Sequence, residues 1–303
     1  MKLSVSITNF SWPAGPTGIH PNLTALSEFL DGTTVDTLWV ADHLLQADPA
    51  SRPDEPMLEA YTTLGFLAAK TTRLRLGTLV SAATFREPAL LVKAVTTLDV
   101  LSGGRAWLGL GAGYNTDEAQ SLGLFLPPAG ERFDRMAELL QLANRMWDGD
   151  ESPFEGDHYR AGRPIGRPLP TTRPPVLIGG TGERRTLRLV AEYADACNLF
   201  DIPNGENVIR HQLAALSRHC RELGRPCEDI ERTVTTALAP GESADQLVER
   251  CRRLADLSLQ HVVLIARGRP WTHTELAVVV AAADQLATVE PTLLGEALNR
   301  GEM

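Results

Sequence analysis

Short apolar runs alternate with helical patterns along the whole chain. The runs are apolar at successive positions, which is typical of strands buried on both faces of a parallel sheet. They predict strands over residues 3–7, 37–41, 74–80, 105–111, 176–178, 194–199, 231–238 and 261–266. Segments with the period of an amphipathic helix follow them at residues 21–31, 57–71, 88–101, 131–148, 183–193, 204–223, 242–257 and 272–286.

Eight strand–helix pairs favour an α/β fold of the closed (β/α)8 TIM-barrel class, with residues 1–303 forming one domain. An open doubly wound sheet is the alternative. Such a sheet usually begins with a Gly-rich turn, whereas Asn9, Phe10 and Ser11 follow the first predicted strand here. Residues 149–175 are rich in Pro and Gly and have no period, so we predict an insertion before the fifth strand that acts as a lid or wall over the site.

Composition narrows the functional classes. The net charge is −9 and the isoelectric point is about 5.3, which argues against nucleic acid or a membrane surface as a partner. The N-terminus has no signal-peptide pattern and no apolar run is long enough to span a bilayer, so we expect a cytoplasmic protein. The four cysteines form no Cys-x-x-Cys pair and the seven histidines form no His-Glu-x-x-His motif, so we expect free thiols and no metal site.

A glycine-rich turn follows the fifth predicted strand. Gly179, Gly180 and Gly182 let the backbone approach a ligand closely, and Thr181 adds a hydroxyl donor. Unpaired N–H groups at the start of the next helix would favour an anion, so the turn is a candidate phosphate site. An ordinary tight strand-to-helix turn is the alternative.

Two further candidates lie where strands end, the edge at which barrel enzymes carry their chemistry. His43 can exchange protons near neutral pH and Asp42 could orient it, although neighbours on an extended chain point to opposite sides. The alternative is a capping Asp beside a structural His. Tyr114 lies in a Gly-rich loop after the fourth predicted strand, which could also be an ordinary loop.

Lysine usage excludes one class of barrel enzyme. The only lysines are Lys2, Lys70 and Lys93, and none follows a predicted strand, as a Schiff-base aldolase would need. Carboxylates at strand ends are also too few for a divalent-metal site. A redox enzyme whose cofactor supplies the reactivity does not need such residues.

Seven segments resemble the bacterial luciferase-like monooxygenase superfamily, and more closely its branch of coenzyme F420-dependent (deazaflavin) oxidoreductases. They are residues 9–13, 39–43, 56–65, 73–80, 97–105, 178–183 and 193–199, so the resemblance covers nearly the whole chain. FMN-dependent relatives share most of this pattern.

The resemblance implies a barrel with the deazaflavin or flavin ring over the strand ends. A cis peptide bond would join Leu79 and Val80 and support the ring, and His43 would face it. Tyr114 stands where sugar-phosphate dehydrogenases of the branch have an acidic glutamate, which makes glucose 6-phosphate a doubtful substrate. The predicted cofactor-binding residues are Asp42, Thr78, Leu79, Val80, Ala112, Gly179, Gly180, Thr181, Gly182 and Asn198.

The predicted function is hydride transfer between coenzyme F420 and a small organic substrate, preferably to reduce an activated C=C or C=N bond. His43 or Tyr114 would handle the proton. One alternative is an FMN-dependent monooxygenase supplied by a separate reductase, and another is a cofactor-binding protein without chemistry of its own. We expect a homodimer.

Overall fold

Eight parallel strands form a closed barrel, as predicted. The structure is a computed structural model that describes residues 1–201 and 205–299. The barrel strands are β1 (Lys2–Ile7), β2 (Thr37–Val40), β3 (Arg75–Thr78), β5 (Ala106–Gly111), β8 (Val176–Gly179), β9 (Ala196–Phe200), β10 (Glu231–Ala237) and β11 (His261–Ile265). Each pairs with its neighbours in chain order, and pairings of β3 with β5 and of β1 with β11 complete the ring. A two-residue strand, β4 (Ser81–Ala82), pairs with β5 beyond the end of β3.

The helices surround this ring. They are α1 (Pro16–Asp31), α2 (Ala60–Lys70), α3 (Pro88–Ser102), α4 (Thr116–Leu122), α5 (Ala129–Asp148), α6 (Thr186–Tyr193), α7 (Gly205–Leu223), α8 (Ala244–Asp256), α9 (His273–Leu286) and α10 (Leu294–Asn299). None of these helices is both long enough and apolar enough to cross a bilayer.

All eight predicted helical segments contain a helix, but some boundaries differ. Residue 204, the predicted start of the sixth helical segment, lies outside the described residues. The helix predicted from residue 183 begins only at Thr186, because residues 183–185 form a turn. Helices α4 and α10 were not predicted, since seven and six residues are too few for a period to show.

Two tryptophans fill the inside of the barrel. The rings of Trp39 and Trp107 lie 5.6 Å apart between their centroids and pack with Leu177 and Val263. Gly77 makes room for them, because a Cβ there would come within 2.7 Å of Trp107 Cβ. The barrel is therefore a packed core rather than a pore, and a ligand can enter only at its ends.

The segment 149–175 packs along α5, from its last residue, where Arg173 pairs with Asp148, to its first turn, where His158 lies 4.0 Å from Glu131. It contains a hairpin, β6 (Phe154–Glu155) with β7 (Arg160–Ala161), held by backbone N–H groups that donate to Glu138 of α5. The segment then reaches α3, where the N–H of Thr171 donates to Asp99, and leads directly into β8. No residue of this segment lines the described site cavity, so its predicted role as a lid has no support in these contacts.

Candidate active site

A cavity of about 560 Å³ opens at the carboxyl ends of the strands. Every barrel strand, or the loop that follows it, contributes lining residues, and most of the lining surface is apolar. Of the predicted site residues, the structure brings nine to this cavity: Asp42, His43, Leu79, Val80, Ala112, Tyr114, Gly179, Gly180 and Asn198. It does not bring Thr78, Thr181 or Gly182 to the lining.

His43 is oriented by a glutamate that the sequence analysis missed. The Nδ1 atom of His43 lies 2.8 Å from Oε2 of Glu118, a side chain that is only 1% exposed. The other oxygen of Glu118 accepts from the N–H groups of Leu44 and Leu45, at 2.5 and 3.1 Å. An ionised carboxylate at Nδ1 fixes that nitrogen as a donor and leaves Nε2 of His43 facing the cavity.

Glu118 is ionised at neutral pH. Burial acts to raise the pKa of its carboxyl, but the hydrogen bonds from His43 and the two backbone N–H groups outweigh burial, and the pKa is lowered. Helix α4 holds the side chain in place: its first turn carries Glu118, and the side chain of Asn115 caps the helix by accepting from the Glu118 N–H.

Tyr114 approaches the same imidazole. Its hydroxyl lies 3.4 Å from Nε2 of His43, and the two rings meet edge to face with centroids 5.6 Å apart. Burial, followed by the nearby carboxylates of Glu118 and Asp48, raises the pKa of Tyr114, so the phenol is neutral at pH 7 and can donate a hydrogen bond. The two candidate proton-handling residues are therefore adjacent.

Asp42 does not contact His43. Its carboxylate forms a bidentate pair with Arg86, at 2.5 and 2.8 Å, and accepts from Ser81 at 2.5 Å. Arg86 also donates to Glu59 at 2.7 Å. The ion pair between Asp42 and Arg86 joins the end of β2 to the start of α3. Asp42 therefore stabilises the loops of the site and does not orient His43.

The peptide bond between Leu79 and Val80 is cis, as the resemblance implied. Both side chains line the cavity, where Val80 packs against two glycines. A Cβ at Gly111 would lie 2.7 Å from Val80 Cγ2, and one at Gly179 would lie 2.9 Å from Val80 Cγ1. Thr78 lies beneath this ridge, where its buried hydroxyl donates to the Gly109 carbonyl, so it supports the ridge instead of lining the cavity.

The glycine-rich turn is present, but its hydroxyl group differs from the predicted one. Gly180 has a φ of +128°, which favours glycine, and it lines the cavity beside Thr186 at the first residue of α6. Thr181 is exposed and does not line the cavity. Because α6 begins later than predicted, the hydroxyl at this turn belongs to Thr186 and not to Thr181.

Asn198 presents its amide to the cavity in a defined orientation. Its Oδ1 accepts from the hydroxyls of Thr233 and Thr235, at 2.9 and 3.1 Å, which leaves Nδ2 as a donor on the cavity side. On the described part of the chain, no three His, Cys, Asp or Glu side chains group as a metal ion would require.

Comparison with known proteins gives a family and a fold. The sequence profile described as luciferase-like monooxygenase matches residues 1–292. The F420-dependent glucose-6-phosphate dehydrogenase of Kineococcus radiotolerans is 32% identical over 232 residues, and that of Nakamurella multipartita is 34% identical over 229 residues. Each alignment covers 74% of this chain but only 66% and 65% of the relative, so the chain spans slightly less than two thirds of the length of these proteins.

Two solved structures share the fold at low sequence identity. The monooxygenase RslO1 from Streptomyces bottropensis superposes with a TM-score of 0.76 at 18% identity, covering 93% of this chain and 97% of that one. An F420-dependent secondary alcohol dehydrogenase, in complex with an F420-acetone adduct, gives a TM-score of 0.74 at 15% identity, covering 93% and 99%.

Proposed function

The chain belongs to the luciferase-like monooxygenase family, and we propose that it is an oxidoreductase that transfers a hydride between coenzyme F420 and a small organic substrate. The observation that carries this proposal is the His43–Glu118 pair, whose geometry presents Nε2 of His43 at an apolar cavity. The curated relatives named as F420-dependent dehydrogenases support the choice of cofactor.

The cavity fits a flat, phosphorylated cofactor. The ridge at Leu79 and Val80 offers an apolar support for a ring, and Gly111 and Gly179 keep it uncovered. The hydroxyl of Ser6 is buried at the cavity without a hydrogen-bond partner in the described structure, as expected for a group that a ligand satisfies.

Each part of the cofactor would have its own residues. Gly179, Gly180 and Thr186 would hold its phosphate, the ridge and Ala112 would carry its ring, and Asn198 would donate to a polar edge. Reduced F420, when bound, supplies a hydride. The chain orients the substrate, excludes water from the apolar lining, and moves a proton at Nε2 of His43 with the Tyr114 hydroxyl beside it.

Reduction of an activated C=C or C=N bond is the proposed direction, because a polarised double bond accepts both a hydride and a proton. We further propose that residues 1–303 act as one domain and that the protein works as a cytoplasmic homodimer. Roles for residues 149–175 as a lid and for Thr181 and Gly182 as phosphate ligands remain predictions.

Equilibrium binding of F420 and FMN, measured side by side on the same protein, tests the cofactor. We expect F420 to bind at least about tenfold more tightly, partly because the exposed Arg184 follows the phosphate turn and could meet an anionic tail. Tighter binding of FMN, together with oxygen consumption by the reduced FMN complex, would favour the second candidate. That candidate is an FMN-dependent monooxygenase, and the monooxygenase description of the family profile is its support. Tight F420 binding without turnover of any substrate would favour a non-catalytic binding protein.

Thr186→Val is expected to weaken F420 binding by about tenfold, because it removes a hydroxyl hydrogen bond to a charged phosphate while keeping the side-chain shape. This change is cleaner than Gly180→Val, since valine at a φ of +128° would strain the backbone. Thr181→Val is the matched control and should change the affinity little. The opposite order of effects would place the phosphate against Thr181.

A further inference from the structure

We infer that the substrate is an uncharged, mainly apolar molecule, such as an α,β-unsaturated ketone, and not a sugar phosphate or another anion. This inference rests on the proposed function, because it takes the phosphate turn and the ridge as the cofactor site. The substrate would occupy the part of the cavity that the cofactor does not fill.

The remaining space lies across the barrel from the phosphate turn. The turn follows β8, whereas β1 stands four strands away around the ring in either direction. The rim near β1 is formed by residues 46–49 and Met57, which follow β2, and by Arg267, which follows β11. His43 stands on the same side, at the end of β2, so a substrate here lies within reach of its Nε2 atom.

The charges of this rim do not suit an anion. Among the described lining residues the carboxylates are Asp42, Asp48 and Glu118, and the only arginine is Arg267. The charge of Asp42 is neutralised by its ion pair with Arg86, and the carboxylate of Glu118 is paired with His43. An arriving phosphate would therefore lose hydration in a partly enclosed cavity, with Arg267 as the only arginine of the described lining that could compensate it.

Arg267 is paired with a carboxylate of the same rim. Its side chain is 41% exposed, and its guanidinium lies 3.7 Å from Asp48, whose side chain is 9% exposed. Asp48 also accepts from the N–H groups of Ala50 and Gly268, at 2.9 and 2.8 Å, so this carboxylate is fixed next to the arginine by both loops. The pair offsets part of the positive charge that an anionic substrate would need.

No lysine compensates for this. Lys2 lies at the start of β1 and bonds to Glu231, Lys70 ends α2, and Lys93 lies on α3, where it bonds to the carbonyl of Arg167. None lines the cavity. This lining therefore does not suit the substrate named for the glucose-6-phosphate dehydrogenase relatives.

The reaction balances for an α,β-unsaturated ketone. The C=C π bond of the ketone would break as its β carbon gains the hydride that bound reduced F420 would supply, and its α carbon would take a proton from Nε2 of His43. The enone would gain two electrons and become the saturated ketone, and F420 would be oxidised by two electrons. The proton that reduced F420 loses on oxidation would pass to solvent, and solvent would return a proton to His43.

The test compares two matched compounds, cyclohex-2-enone and an analogue that carries a carboxylate on the ring. With the F420-loaded protein, we expect kcat/KM to be at least about a hundredfold higher for the neutral compound. Asp48→Asn should free the charge of Arg267 and raise the relative kcat/KM for the anion by about tenfold. The double variant Asp48→Asn/Arg267→Met should reverse that gain, which a merely loosened loop would not do. Asp54→Asn, in an exposed pair with Arg52, is the control.

The shift in melting temperature that each compound causes at equal concentration provides a readout independent of turnover. A larger shift with the neutral compound supports the inference even if neither compound is reduced. Equal or better use of the anion, or an equal or larger shift with it, overturns the inference while leaving F420-dependent reduction intact. Failure of F420 to bind overturns the proposed function instead, and the melting shifts still decide the charge of the ligand.

Discussion

Replacing His43 with alanine is expected to lower turnover by roughly 10²–10⁴-fold, the range for losing a general acid or base. The reason is geometric, since Nε2 of His43 faces the cavity while Nδ1 is held by Glu118. F420 affinity should change far less, because in the proposed binding mode the phosphate turn and the ridge at Leu79 and Val80 would provide most of the contacts. Stopped-flow oxidation of reduced F420 and a separate binding titration measure the two effects.

Tyr114→Phe is the matched comparison. The phenol lies 3.4 Å from the same nitrogen, and its raised pKa keeps it neutral, so its removal should cost a hydrogen bond, about tenfold in turnover. Turnover at the parent rate in His43→Ala, combined with an inactive Tyr114→Phe, would assign the proton step to the tyrosine.

Glu118→Gln separates positioning from proton transfer. The backbone N–H groups of Leu44 and Leu45 would hold the single amide oxygen, so the amide NH2 would face Nδ1 of His43 and make that nitrogen an acceptor. The turnover of this variant should fall, because the wrong imidazole tautomer meets the substrate, but by less than that of His43→Ala. A purely structural role for Glu118 would lower the melting temperature and leave the turnover of the folded variant at the parent rate.

The barrel was predictable because its signal is local. Each strand is a short apolar run, and the predicted and observed bounds differ by two residues or fewer at every end, as for residues 3–7 against Lys2–Ile7. The helix start at residue 183 was predicted wrongly because Glu and Arg are good helix formers. Tertiary contacts hold residues 183–185 in a turn instead. The cis bond at Leu79 came from family resemblance and not from any pattern.

The contacts that organise the site were not predictable in the same way. His43 meets Glu118 across 75 positions, and Asp42 meets Arg86 across 44, so only the closed barrel brings them together. One signal was overlooked: Asn115 followed by Asp117 and Glu118 is the pattern of a capped helix start. It would have predicted α4 and placed Glu118 near the rim, but not against His43.

Arg86→Met should be the most destabilising change in the site framework, lowering the free energy of unfolding by about 3–5 kcal/mol. It leaves the carboxylate of Asp42, only 1% exposed, with Ser81 as its remaining hydrogen-bond donor. The cost is the desolvation of an unpaired charge, not only the loss of the three hydrogen bonds that Arg86 donates. Urea unfolding followed by tryptophan fluorescence measures it as a lower midpoint.

Two further variants show whether the buried charge is the cause. Asp42→Asn/Arg86→Met removes the charge together with its partner and should recover much of the lost stability. Arg52→Met breaks the pair with Asp54, whose side chains are 77% and 68% exposed, and should cost less than about 1 kcal/mol. A double variant as unstable as Arg86→Met would contradict the electrostatic explanation. It would show that Arg86 acts by packing on Tyr61, whose ring centroid lies 5.0 Å from the guanidinium carbon.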